Sequence, residues 1–166
     1  MDTVKIENIS KKYIPEVVKI WNESFSGLYM EPKISKQSLI KKTYESVQFD
    51  ESASFIAFNN SKMVGFVISF ADKQFENDSY WHMAVSGWIG AMAVSEPYRK
   101  QQIGEQLLKS ADEVHKSKGR PIIFTGGGEG IDSFFPGIED TMINASDFFK
   151  KMVMDLCAEH VLLKQI

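Results

Sequence analysis

Residues 88–108, WIGAMAVSEPYRKQQIGEQLL, constrain the fold of this chain more than any other stretch. Trp88 to Val94 is almost wholly apolar, which reads as a strand buried on both faces. Pro97 marks a turn, and Arg99 and Lys100 form a basic loop. Ile103, Leu107, Leu108, Ala111 and Val114 then recur at helical spacing, with Lys109, Asp112, Glu113 and Lys116 on the opposite side. Gly119 and Pro121 close the helix. A strand running through a basic turn into a helix builds a site for an anion. The N–H groups of the first helical turn are unpaired and point outward, and the helix dipole favours negative charge there. Arg99 and Lys100 add two cations, and Gly104, lacking a Cβ, lets the backbone approach closely. The loop from Arg99 to Glu105 is therefore expected to receive a pyrophosphate.

Flanking segments supply the rest of an α/β (α+β) fold. Val4 to Asn8 predicts a short first strand. Tyr13 to Phe25 predicts a helix, with Ile14, Val17, Val18 and Trp21 at helical spacing and Pro15 in its first turn. Ser35 to Tyr44 predicts a second helix with Ser35 as its N-cap. Phe55 to Phe58, a turn at Asn59-Asn60 and Met63 to Phe70 read as a β-hairpin. After the central motif come a strand at Ile122 to Thr125, a helix at Ala145 to Lys151 and an extended stretch from Met154 to Leu163.

Composition removes several classes of function. A length of 166 residues suits one domain, 1–166. The net charge is −3 without long blocks of one sign, which points away from nucleic acid; the lysines at 33, 36, 41 and 42 read as a solvated helix face. No apolar run approaches the roughly 20 residues of a membrane span. The single cysteine, Cys157, cannot form an internal disulfide, and no apolar leader follows Met1, so a cytoplasmic location is expected. His82, His115 and His160 lack metal-ligand spacing, and no metal is expected; His115 reads as a rim residue of its helix. GGGEG at 126–130 lacks the Gly-Lys-Ser/Thr of a phosphate loop and reads as the start of a long connection, Gly126 to Ile143. With Phe134, Phe135 and Pro136 inside it, that connection should pack on something, either as a lid or against a partner.

The central motif resembles the acetyl-CoA signature of the GCN5-related N-acetyltransferases. In that family an apolar strand ending in Val leads through Pro and an aromatic-Arg pair into R-x-x-G-x-G/A and a helix with Leu-Leu. Here the corresponding residues are Ala93-Val94, Pro97, Tyr98-Arg99, Gly104 and Leu107-Leu108, with Gln102 where the first glycine usually stands. The resemblance implies a mixed central sheet of about six to seven strands flanked by about four helices, in the order β-α-α-β-β-β-α-β-α-β. It implies acetyl-CoA as cosubstrate, with Met92, Ala93 and Val94 along its pantetheine arm and Arg99, Lys100, Gln101, Gln102, Ile103, Gly104 and Glu105 at its pyrophosphate. The activity implied is transfer of the acetyl group to an amine of a small molecule or peptide, by direct attack on the thioester.

Near the C-terminus, Ala145, Phe148, Phe149 and Lys151 resemble the family's last helix, where a Tyr often serves as general acid; Phe149 takes that place. Asp72, Glu76 and Asp78 are candidate bases, although such acids are more often solvated turn residues. Tyr29 and Met30 either shape the acceptor pocket or pack their own loop. SFFPGIED resembles a loop of a subgroup carrying two such domains in tandem. A second reading is therefore a non-catalytic acyl-CoA-binding or scaffolding domain of a degenerate or tandem protein. No seventh strand is visible before Ile166, so a homodimer pairing through Val161 to Leu163 is expected.

Overall fold

The computed structural model describes residues 4–26, 33–71, 86–126, 134 and 144–152. Five strands make one sheet in the order β1-β2-β3-β4-β5. They are β1 (Val4–Asn8), β2 (Phe55–Asn59), β3 (Lys62–Phe70), β4 (Ser86–Val94) and β5 (Ile122–Thr125). The first four are antiparallel, and β5 runs parallel to β4. The β2–β3 hairpin turns at Asn60, whose φ of 54° suits the tolerance of Asn for left-handed backbone. The helices are α1 (Ile14–Ser24), α2 (Lys36–Lys42), α3 (Ile103–Ser117) and α4 over 144–152. Ser35 caps α2 as expected, its Oγ accepting from the Ser38 N–H at 3.1 Å. Among the described residues there are five strands where six to seven were expected of the whole chain, and Met154 to Leu163, which includes the triplet Val161 to Leu163, lies outside the described residues.

Each face of the sheet carries its own core. On one side α1 and α2 place Ile14, Val17, Ile20, Trp21 and Leu39 against Phe66, Ile68, Phe70 and Trp88. On the other, α3 sets Ile103, Leu107, Leu108 and Ala111 against Val64, Val67 and Ile89. A helix stripe of period 3.6 covering a strand face of period 2 is what the sequence pattern required. Strand β4 runs through the middle of both cores, which explains its nearly unbroken apolar run.

Two polar groups tie down the C-terminal end of α3. The Asp50 carboxylate is buried; it accepts from both Lys118 Nζ (2.9 Å to each oxygen) and Arg120 Nη1 (2.7 Å), and from Ser52 Oγ at 2.6 Å. Burial pushes this carboxyl up, but the hydrogen bonds from Ser52, Lys118 and Arg120 outweigh it and hold the group below the usual carboxylate range. His115 is the second. It is fully buried rather than on a rim, because it continues the line Leu108, Ala111 on the inner face of α3. Asp112, expected on the outer side, is likewise buried and paired with Lys116 at 2.6 Å.

The His115 ring lies against the backbone of Gly87, where a Cβ would come within 2.5 Å of Nδ1. Neither ring nitrogen has a hydrogen-bond partner. Burial, then the Arg120 guanidinium, lowers its pKa from 6.5 to about 4. Folding therefore keeps His115 neutral while the unfolded chain protonates it below pH 6.5. Stability should fall as pH drops from about 6.5 to about 4, by on the order of 3 kcal/mol at full extent. Asp50 takes effect in a lower window, since its folded value lies below that of a free carboxyl. In His115→Leu the fall in melting temperature between pH 6.5 and 4 should largely disappear, as followed by circular dichroism; an unchanged pH profile would show that another group sets it.

Candidate functional site

The pairing of β4 changes halfway along its length. From Ser86 to Ile89 it pairs with β5, and the last link is the Gly126 N–H donating to the Ile89 C=O at 3.0 Å. The chain turns away there with Gly126 at φ 86°. On the β3 side the register slips: Ile68 faces Ala91 and Ser69 faces Ile89, which leaves Gly90 as the extra residue of a β-bulge. Before the bulge, Ile89 aims its carbonyl at β5. Beyond it, the Ser95 N–H donates to the Val64 C=O at 2.8 Å, so by the alternation of an antiparallel ladder Ala91 and Ala93 bond toward β3. The backbone groups of Met92 and Val94 then face the other way. Among the described residues no strand lies beside them, and an open slot about 16 Å long runs from Gly90 to Val94. The sequence signal for the bulge was an isolated glycine inside a strand, which the apolar pattern overrode.

At the end of this slot sit the predicted loop and helix start. After the short 3-10 turn Glu96–Tyr98, Arg99 Nε donates to the Val94 C=O at 2.9 Å, and Gln101 Nε2 donates to the Pro97 C=O at 3.1 Å. Lys100 and Gln102 both take left-handed backbone, at φ 60° and 61°. Gln102 is the N-cap of α3, is exposed, and makes no capping bond through its side chain. The first helical bond is the Gln106 N–H to the Gln102 C=O at 3.0 Å. The N–H groups of Ile103, Gly104 and Glu105 are thus left to an outside acceptor. Met92, Val94, Arg99, Lys100, Gln101, Gln102, Ile103, Gly104 and Glu105 therefore converge on one edge, while Ala93 directs its backbone to β3.

Gly104 also has a packing role within the domain. A Cβ there would meet Met92 Cε at 3.1 Å and Phe148 Cζ at 3.4 Å. Its smallness lets α3 and α4 close over Met92. Phe148 and Phe149 are partly buried on that same core, and Lys151 Nζ reaches Glu105 Oε1 at 3.0 Å. Asp72, Glu76, Asp78, Tyr29 and Met30 lie outside the described residues.

The opposite face of β4 is aromatic. The bulge turns Gly90 and Ala91 to the same side, toward α1 and α2. Phe70 packs onto Gly90 so closely that a Cβ there would lie 2.3 Å from its Cε2. Phe134, from the long connection, comes next, 3.6 Å from that Cβ position. Its ring meets Trp21 edge-on at 4.7 Å and tilts against Phe70 at 5.8 Å. Lys42 Nζ stands 5.5 Å from its centroid. Phe134 therefore packs on the body of the domain; Phe135 and Pro136 lie outside the described residues.

Left-handed backbone costs a residue with a Cβ about 1–2 kcal/mol. Gln102→Gly should thus raise stability by about 1 kcal/mol, after subtracting the entropy glycine adds to the unfolded chain. A chemical denaturation curve checks this, and a lower midpoint would mean that the Gln102 side chain holds the loop.

Residues 14–126 match the family model described as acetyltransferase (GNAT) family. Among curated proteins there is no match. Among solved structures, one similar to this chain is a GCN5-related glucosamine N-acetyltransferase region of a fungal multi-domain GH3 β-N-acetylglucosaminidase. The two share 19% identity at a TM-score of 0.73, over 92% of this chain and 17% of that one. An aminoglycoside N-acetyltransferase solved in complex with CoA shares 11% identity at a TM-score of 0.64, over 92% of this chain and 88% of the other. The ribosomal-protein-S18-alanine N-acetyltransferase of Escherichia coli shares 15% at a TM-score of 0.54, over 70% and 62%. At such identities the likeness is one of fold.

Proposed function

The chain belongs to the acetyltransferase (GNAT) family, and on that premise we propose that it transfers an acetyl group from acetyl-CoA to the amine of a small molecule or peptide. The observation that carries this reading is the half-open β4, which ends at an uncapped helix start with a basic loop. An extended arm with amide groups fits beside Met92 and the Val94 N–H, adding hydrogen bonds that a neighbouring strand would have made, while Arg99 keeps the Val94 C=O. A pyrophosphate fits against the N–H groups of Ile103, Gly104 and Glu105, with Arg99 and Lys100 beside it. Acetyl-CoA supplies an activated acyl group on a thiol leaving group. The protein's part is to hold that group against β4 and to admit a neutral amine from the side of α1 and α2. Asp72 and Glu76 are the proposed groups to accept the amine's proton.

One observation favours the second reading, a domain that binds acyl-CoA without catalysis. Phe149 has no O–H to donate where the family's usual acid stands. Two measurements separate the readings: calorimetric titration with acetyl-CoA, then thiol release with a panel of amines. Binding with turnover supports transfer; binding without turnover supports the second reading. Arg99→Glu puts a negative charge beside the phosphates and removes the bond to the Val94 carbonyl. It should weaken acetyl-CoA at least about tenfold, or ~1.4 kcal/mol. An unchanged dissociation constant would falsify the assignment of the loop.

A further inference from the structure

We infer that the Thr125 hydroxyl donates a hydrogen bond to the thiol sulfur as the acyl group leaves it. The inference rests on the acetyl-transfer reading above. There the pyrophosphate sits at the start of α3 and the arm runs back along β4, so the thioester comes level with Gly90, at the closed end of the slot. That end is made by the last pairing of β4 with β5, Ile89 beside Thr125, and by the Gly126 N–H on the Ile89 C=O. Thr125 is therefore the last paired residue at the point where the two strands part.

Its side chain lies on the α3 side of the sheet. Along β5, Phe124 stacks on Trp88 toward α1 and α2, and Ile123 packs on the core beneath α3. By alternation Thr125 shares the face of Ile123. Unlike Ile123 it is exposed, at the rim of that core. The side chains packed on the same core from α4, Phe148 and Phe149, carry no O–H. Other described hydroxyls near this end are badly placed. Ser69, opposite Ile89 on β3, is fully buried. Ser86 stands at the far end of the β4–β5 pairing, about 10 Å before the strands part.

Acyl transfer creates a charge at this place. The amine nitrogen attacks the carbonyl carbon, the C–N bond forms and the C–S bond breaks. The electron pair stays on sulfur as a thiolate, and the surplus proton of the amine goes to the base. Thr125 keeps its own proton throughout. A thioester sulfur is a weak acceptor, whereas a thiolate is a charged one, so the O–H binds the departing group more strongly than the bound substrate. Such a difference lowers the barrier without tightening substrate binding.

Thr125→Val keeps the shape of the side chain and removes the O–H; Thr125→Ser keeps the O–H. With the full chain, acetyl-CoA and whichever amine of the panel turns over fastest, Thr125→Val should lower kcat about tenfold, ~1.4 kcal/mol, and leave KM for acetyl-CoA within about twofold. Thr125→Ser should stay within about threefold of the unsubstituted protein in kcat. A second readout needs no turnover: the thiolate absorbance of CoA bound to the protein, followed against pH. A hydrogen bond to the charged form lowers a pKa, so the bound thiol should ionise about one pH unit lower in the unsubstituted protein and in Thr125→Ser than in Thr125→Val. An unchanged kcat in Thr125→Val, an equal loss in both variants, or the same thiol titration in all three proteins overturns the inference. If CoA binds and no amine is acetylated, the transfer reading fails on its own account and the thiol titration alone decides. If CoA does not bind, the slot holds no thiol and the inference falls with the reading.

Discussion

The half-paired strand β4 is the constraint on which the rest of the structure depends. A buried strand normally spends all its backbone donors and acceptors on two neighbours. Here β5 stops opposite Ile89, and the bulge at Gly90 re-aims the backbone so that Met92 and Val94 face the gap. One inserted residue therefore does two things. It turns the backbone groups of Met92 and the N–H of Val94 to the edge where β5 has ended, and it puts Gly90 and Ala91 on one face, where Phe70 can close down on the glycine. A ligand edge and an aromatic face arise from the same local irregularity.

An open edge in the middle of a domain needs firm closure elsewhere. That closure sits at the opposite end of α3. Asp50 draws Lys118, Arg120 and Ser52 together, which joins the segment before β2 to the end of α3. Removing the Asp50 carboxylate leaves the largely buried Arg120 guanidinium without its partner, a change that costs about 3–5 kcal/mol in comparable buried pairs. His115 wedges between α3 and the start of β4, in space that only a glycine at 87 provides. The first half of β4 is thus clamped between β3, β5 and α3, while among the described residues no strand pairs with Met92 and Val94 on the β5 side.

How much of this was legible in the sequence depends on the range of the interaction. The elements from β1 to β5 follow from periodicity, capping and turn residues, all of which act over a few positions; Ser35 and the Asn59-Asn60 turn are examples. The helix start at Ile103 was legible for the same reason. The Asp50 cluster was not, because its partners lie 68 and 70 residues away and no local pattern links an acid to such distant cations. His115 was misplaced although its spacing from Leu108 and Ala111 carried the signal, because residue type was weighed above position. The missing Cβ of Gly104 lies toward Met92 and Phe148, a packing requirement that the sequence pattern does not show. A sequence shows that a glycine avoids a Cβ but not which neighbour requires it.

Gln102 shows how a departure from a family pattern can leave geometry intact. The residue keeps left-handed backbone at φ 61° and ψ 7°, the conformation that glycine adopts without cost. Lys100 does the same two positions earlier. Neither residue favours this backbone by itself, so the path must be imposed from both ends: by the Arg99 bond to Val94 on one side and by the packing of Ile103 and Leu107 on the other. The exposed Gln102 side chain then leaves the N–H groups of the first turn unpaired. The substitution at 102 is paid in stability and not in the shape of the anion site. Phe149 differs in kind, since no backbone path can replace a missing O–H. In the proposed reaction the backbone shape of loop and strand does not depend on glycine at 102, whereas any proton for the departing thiol would have to come from a group other than residue 149.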